Sequence, residues 1–111
     1  MALIIKTDNP EGLLIEIKRA IDAKEVDLWS YDGSGDFSHT PEKWFNRAWL
    51  RPEVVGEDEL RFGILGTKDV GMTASLYSAF HAHFIDMLLT YFDKFFITAA
   101  ATAKKTDPDY F

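Results

Sequence analysis

The run from Asn46 to Gly66, "NRAWLRPEVVGEDELRFGILG", constrains this chain more than any other feature. Two alternating segments meet at Gly56-Glu57-Asp58. Successive side chains on a strand point to opposite faces, so the length of the tip decides which residues share a face. A two-residue tip at Glu57-Asp58 would mix Arg51 and Glu53 with Phe62 and Ile64. A three-residue tip gathers Ala48, Leu50, Pro52, Val54, Leu60, Phe62 and Ile64 on one side. The other side then holds Arg47, Trp49, Arg51, Glu53, Glu59 and Arg61, with Glu53 opposite Arg61. Only the second register separates apolar from charged residues, so the sequence predicts that one. Pro52 has no N–H to give a sheet, which predicts an edge position or a bulge there.

The remaining elements are placed around this hairpin. "ALIIKT" (2–7) is a short apolar run with strand character. "DNPEG" carries helix-start chemistry: Asp8 or Asn9 as cap, Pro10 in the first turn and Glu11 at the positive end of the dipole. Leu13, Leu14, Ile17, Ala20 and Ile21 then recur at helical spacing, and the helix is expected to end near Ala23. "DGSG" between "EVDLWSY" and "DFSHT" signals another hairpin, with Gly33-Ser34 expected at its tip. That register sets Tyr31 against Asp36, Trp29 against Ser38 and Leu28 against His39. "TPEKW" reads as a short helical turn capped by Thr40.

A long helix is expected over about residues 72–93, with Leu76, Tyr77, Phe80, Phe84, Met87, Leu88 and Tyr91 on its main apolar face. Ile85, Leu89 and Phe92 widen that face. The polar stripe left over is narrow: Ala82, Asp86, Thr90 and Asp93, with His83 at its border. One sheet cannot cover so wide an apolar arc, which predicts a second layer, most simply another copy of the chain. "ITAAATA" (97–103) suits either a last strand or a frayed helix end.

The reading is one α+β domain over residues 1–104, with a polar C-terminal tail at 105–111. The domain is a mostly antiparallel sheet of about five or six strands with two helices packed on one face, in the order β-α-β-β-β-β-α-(β).

Composition narrows the function classes. The net charge of −6 lacks the basic stripe that a nucleic-acid binder needs, so no nucleic acid is expected as partner. With no cysteine, disulfides, thiolate catalysis and cysteine-ligated metals are excluded, and a reducing, cytoplasmic setting is expected. The most apolar segment, 72–96, contains His81, His83, Asp86, Asp93 and Lys94, so no membrane span is expected.

Motifs for chemistry are sparse. His81 and His83 form "HAH" on a helix, a spacing that sends the two rings to different faces and fails as a metal pair. "GILGTKDVG" lacks the spacing of a phosphate loop, and no nucleophile pattern surrounds Ser30, Ser34, Ser38 or Thr40. No metal site and no cofactor are expected.

Two candidate sites remain. The predicted registers put Trp29, Tyr31, Arg47, Trp49, Arg51 and Arg61 on the sheet face away from the helices. Aromatics and arginine are the residues enriched at binding hot spots. This patch implies a homodimer or protein-partner contact, or an anionic small molecule gripped by arginine. The other candidate is a pocket between the long helix and the first hairpin, with His39, Tyr77 and His81 as its polar groups. The leading expectation is an interaction or homodimeric module without enzymatic activity. The alternative is a small-molecule binder or small enzyme that uses the pocket.

Overall fold

A computed structural model describes all 111 residues. The elements are β1 (Leu3–Lys6), α1 (Pro10–Asp22), β2 (Trp29–Tyr31), β3 (Phe37–His39), β4 (Trp49–Val55), β5 (Glu59–Leu65), α2 (Ala74–Phe92), a 3-10 turn (Asp93–Phe95) and β6 (Thr98–Ala101). The strands form a single antiparallel sheet in the order β2-β3-β4-β5-β1-β6, and both helices pack on one face of it. "ITAAATA" therefore resolves into a strand, paired with β1 from Leu3↔Ala101 to Lys6↔Thr98. No helix is long and apolar enough to cross a membrane.

The β4–β5 hairpin adopts the three-residue tip. Val55 pairs with Glu59, Val54 with Leu60, and Glu53 with Arg61. Gly56 takes a left-handed φ of 65°, which a side chain would resist. Leu50, Leu60, Phe62 and Ile64 are fully buried beneath the helices. β4 is an interior strand rather than an edge. However, β3 reaches it only at Leu50, so Pro52 has no strand beside it on that side.

Helix α1 starts as its sequence predicts. The Asn9 side chain accepts from the Gly12 N–H at 3.0 Å, and Pro10 opens the first turn. Leu13, Ile17 and Ala20 are buried. Thr73 caps α2 by accepting from the Leu76 N–H. The buried stripe of α2 is Leu76, Phe80, His81, Phe84, Met87, Leu88 and Phe92. Tyr91, expected on the main apolar face, is exposed, as is Leu89. Phe84 is the hub: its ring lies 4.6 Å from Phe62, 4.8 Å from Trp29 and 5.7 Å from Phe37, centroid to centroid. Each such pair adds roughly 0.5–1.5 kcal/mol beyond burial.

The first hairpin departs from the expected register by one residue. Trp29 pairs with His39, Ser30 with Ser38, and Tyr31 with Phe37. The tip has three residues, because the Asp32 N–H bonds to the Asp36 carbonyl and Gly35 is left-handed at φ 83°. The Asp32 carboxylate holds the turn by accepting from the Ser34 and Asp36 N–H groups. A slip of one residue exchanges the faces, so Trp29 and Tyr31 belong to the helix side. "TPEKW" forms a string of hydrogen-bonded turns rather than a regular helix.

Residues 105–111, read from the sequence as a polar tail, are bonded to β5. Asp109 is buried; its Oδ1 accepts from the Ile64 N–H at 2.8 Å and its Oδ2 from the Thr106 N–H. The Tyr110 N–H donates to Ile64, and the Gly66 N–H to Tyr110. Gly63 lets this segment approach, since a Cβ there would meet the Pro108 carbonyl carbon at 2.5 Å.

Candidate functional site

A cleft of about 470 Å³ opens where α2 crosses the β2–β3 hairpin. Its floor is built by three structural choices. Trp29 and His39 are cross-strand partners facing α2, both buried. Their rings stack with centroids 4.3 Å apart and planes at 15°. Leu28, just before β2, has φ 71°, a conformation that side chains disfavour. That turn aims the Leu28 carbonyl at the start of the next segment, where it accepts from the Thr40 N–H at 2.9 Å and from His39 Nδ1 at 2.8 Å. Opposite, α2 offers His83, Asp86, Met87, Thr90 and Tyr91, with Trp44 and Asp27 at the sides.

The central feature is a pair of histidines. His39 Nε2 and His83 Nδ1 are 2.8 Å apart. The chemistry fixes the protons. A carbonyl can only accept, so His39 Nδ1 carries hydrogen and its Nε2 is an acceptor when the ring is neutral. His83 must then donate from Nδ1, which leaves the His83 Nε2 lone pair unused. His83 is exposed and His39 is buried, so the pair links solvent to the core. Burial pushes the His39 imidazole below the usual histidine value. The Leu28 carbonyl opposes that push, and the neighbouring His83 adds to it. The two rings can accept one proton together while keeping their mutual bond; a second would set two donors against each other.

The other pocket residues expected from the sequence lie elsewhere. Tyr77 and His81 line a separate recess between α2 and β6. His81 is buried, donates from Nε2 to the Met1 carbonyl, and leaves its Nδ1 without a partner. Burial holds it too below the usual histidine value. The histidine that meets His39 is therefore His83, which the sequence places at the border of the polar stripe. The signal lay in the helical stagger: His83 sits three residues from both Phe80 and Asp86 and four from Met87, bordering the buried stripe.

The outer-face patch is only partly assembled. Trp29 is 4% exposed beneath α2, and Tyr31 packs on the core and donates its hydroxyl to Asp22. Trp49, Arg51 and Arg61 do share the outer face, as the β4–β5 register requires. Arg51 is engaged in a bidentate pair with Asp36, both bonds 2.8 Å, and Arg61 pairs with Glu59, which also binds Lys6. Arg47 lies in the turn before β4, beside Lys43 and the start of α2.

No three His, Asp or Glu side chains converge closely enough to hold a metal ion. No family model, no curated protein and no solved structure matches the chain.

Proposed function

We propose that this protein binds a small molecule in the cleft between α2 and the β2–β3 hairpin, with the His39–His83 pair as its proton-handling group. The observation that supports the reading is the 2.8 Å imidazole contact, anchored at one end on the Leu28 carbonyl and open at the other through His83 Nε2. Such an arrangement gives a bound molecule a base at the surface with a buried partner behind it. The cleft volume of about 470 Å³ falls in the range of small-molecule sites.

A thermal-shift screen of metabolite-sized compounds tests the reading on wild type, His83→Gln and Thr90→Trp. Thr90 is exposed on the cleft wall, so tryptophan there fills the cleft without entering the core. A ligand that binds the folded state raises the melting temperature by mass action. Hits that stabilise wild type and are lost in both variants support the proposal. An absence of hits, or hits unaffected by either variant, overturns it.

Self-association is a second reading, favoured by the open edge of the sheet. β6 is an edge strand of sequence TAAA, with no charge, proline or bulge within it to discourage pairing. Ile97, 71% exposed, and Phe95 stand beside it. A homodimer joined at β6 would appear as a doubled mass by light scattering and revert to monomer in Ala100→Lys. A monomer at all concentrations removes this reading.

A further inference from the structure

The cleft has a consistent polarity that names its ligand class, and the inference rests on the small-molecule reading above. We propose that it takes a small organic cation, an ammonium group carried on an aromatic or alkyl stem. Four polar side chains on its walls, Asp27, His83, Asp86 and Thr90, are free to accept. Asp27 and Asp86 are both exposed, and neither takes part in an ion pair within the chain. His83 presents an unused ring lone pair once its Nδ1 donates to His39. The Thr90 hydroxyl spends its proton on the Asp86 backbone carbonyl, which leaves oxygen lone pairs. No lysine or arginine lines the cleft.

The apolar walls suit the same guest. Trp44 and Tyr91 present aromatic surface, and aromatic faces attract cations. Trp44 already shows this behaviour within the chain: the Lys43 ammonium lies 4.9 Å above its ring. A metal ion fits poorly, because the histidines and carboxylates are spread around the opening rather than gathered on one point. An organic cation spans that spread, with its ammonium near the carboxylates and His83 and its stem against Met87 and the aromatic rings. An anion would meet two carboxylates and no counter-charge.

Three probes sharing one ring separate the class from the site: benzylammonium, benzyl alcohol and benzoate, each titrated into the full chain near neutral pH. The three histidines make imidazole NMR signals a direct readout, with His81 in its separate recess as internal control. Benzylammonium is expected to shift His39 and His83 but not His81, and to bind about tenfold or more tightly than benzyl alcohol. Benzoate is expected to leave the signals in place. Asp27→Asn/Asp86→Asn is expected to remove most of the preference for the cation while the melting temperature stays near wild type. If benzoate or benzyl alcohol shifts His83 as strongly as the cation, the ligand class is wrong and the cleft survives as a site. If none of the three shifts His39 or His83, both the class and the small-molecule reading fall.

Discussion

The indole of Trp29 lies flat against the imidazole of His39, centroids 4.3 Å apart and planes at 15°, while both rings stand nearly perpendicular to Phe80. The stack couples a fluorophore to a titrating group. Protonated imidazole quenches indole emission at contact, so Trp29 fluorescence should fall as His39 gains a proton. The midpoint is expected below the usual histidine value of about 6.5, because burial disfavours the charged ring. Trp29→Phe and His39→Asn should each remove the pH-dependent component and leave the emission of Trp44 and Trp49. A midpoint at or above the usual value would contradict the buried placement of His39.

His39 and His81 also make stability depend on pH, and the sign follows from the direction of their shifts. Both are held below the usual histidine value in the folded chain, first by burial. Above that value both are neutral whether folded or not, and no penalty exists. Below it, the unfolded chain takes up protons that the folded chain resists, so stability falls with pH until the folded values are passed. The slope cannot exceed about 1.4 kcal/mol per pH unit for each histidine. Urea midpoints measured from mildly alkaline to mildly acid conditions should show this fall. His81→Asn keeps a donor for the Met1 carbonyl and should flatten it.

The C-terminal segment contributes to stability through two separate contacts. Gly63→Ala forces a methyl group against the Pro108 carbonyl and is expected to cost about 1–3 kcal/mol. Asp109→Ala leaves the Ile64 N–H buried without its acceptor, a loss of about 1–3 kcal/mol. Each change loosens the same segment, so the double variant should lose less than the sum of the two. Full additivity in chemical denaturation would show that the segment does not act as a unit.

Leu28 holds a left-handed backbone with its side chain 58% exposed. Glycine there relieves the strain at little loss of burial, so Leu28→Gly is expected to raise stability by up to about 1 kcal/mol. Leu28→Val places a branched Cβ in the same conformation and should lower stability by more than about 1 kcal/mol. If both variants match wild type in melting temperature, the strained turn is absent in solution.

The two hairpins show what the sequence could convey. In β4–β5 only one register separates Leu50, Phe62 and Ile64 from Arg51, Glu53 and Arg61, so patterning alone identifies the tip. In β2–β3 the pattern also has a cleaner solution, since the three-residue tip gathers Trp29, Tyr31 and Phe37 on one face against Ser30 and Ser38 on the other, whereas the "DGSG" turn signal alone points to a two-residue tip at Gly33-Ser34. Backbone chemistry supports that longer tip: Gly35 takes a left-handed φ and the Asp32 carboxylate accepts two N–H groups. That one-residue difference moves Trp29 from the presumed outer patch into the core. It also stacks Trp29 on His39. His83 was illegible for another reason. Its partner is 44 residues away in sequence, and only the crossing of α2 over β3 joins them. The cleft itself was foreseeable from the helix and hairpin, whereas its second histidine depended on the crossing angle.

β1 occupies an inner position, with β5 on one side and β6 on the other, and its first residue pairs with Ala101. The first of the six strands in chain order therefore closes against the last. Its buried residues Leu3 and Ile5 gain their partners Ala101 and Ala99 only when that distant strand docks. Closing so long a loop is slow compared with forming the local hairpins. Refolding should therefore end on the docking of β6 along the open side of β1, after the local hairpins have formed.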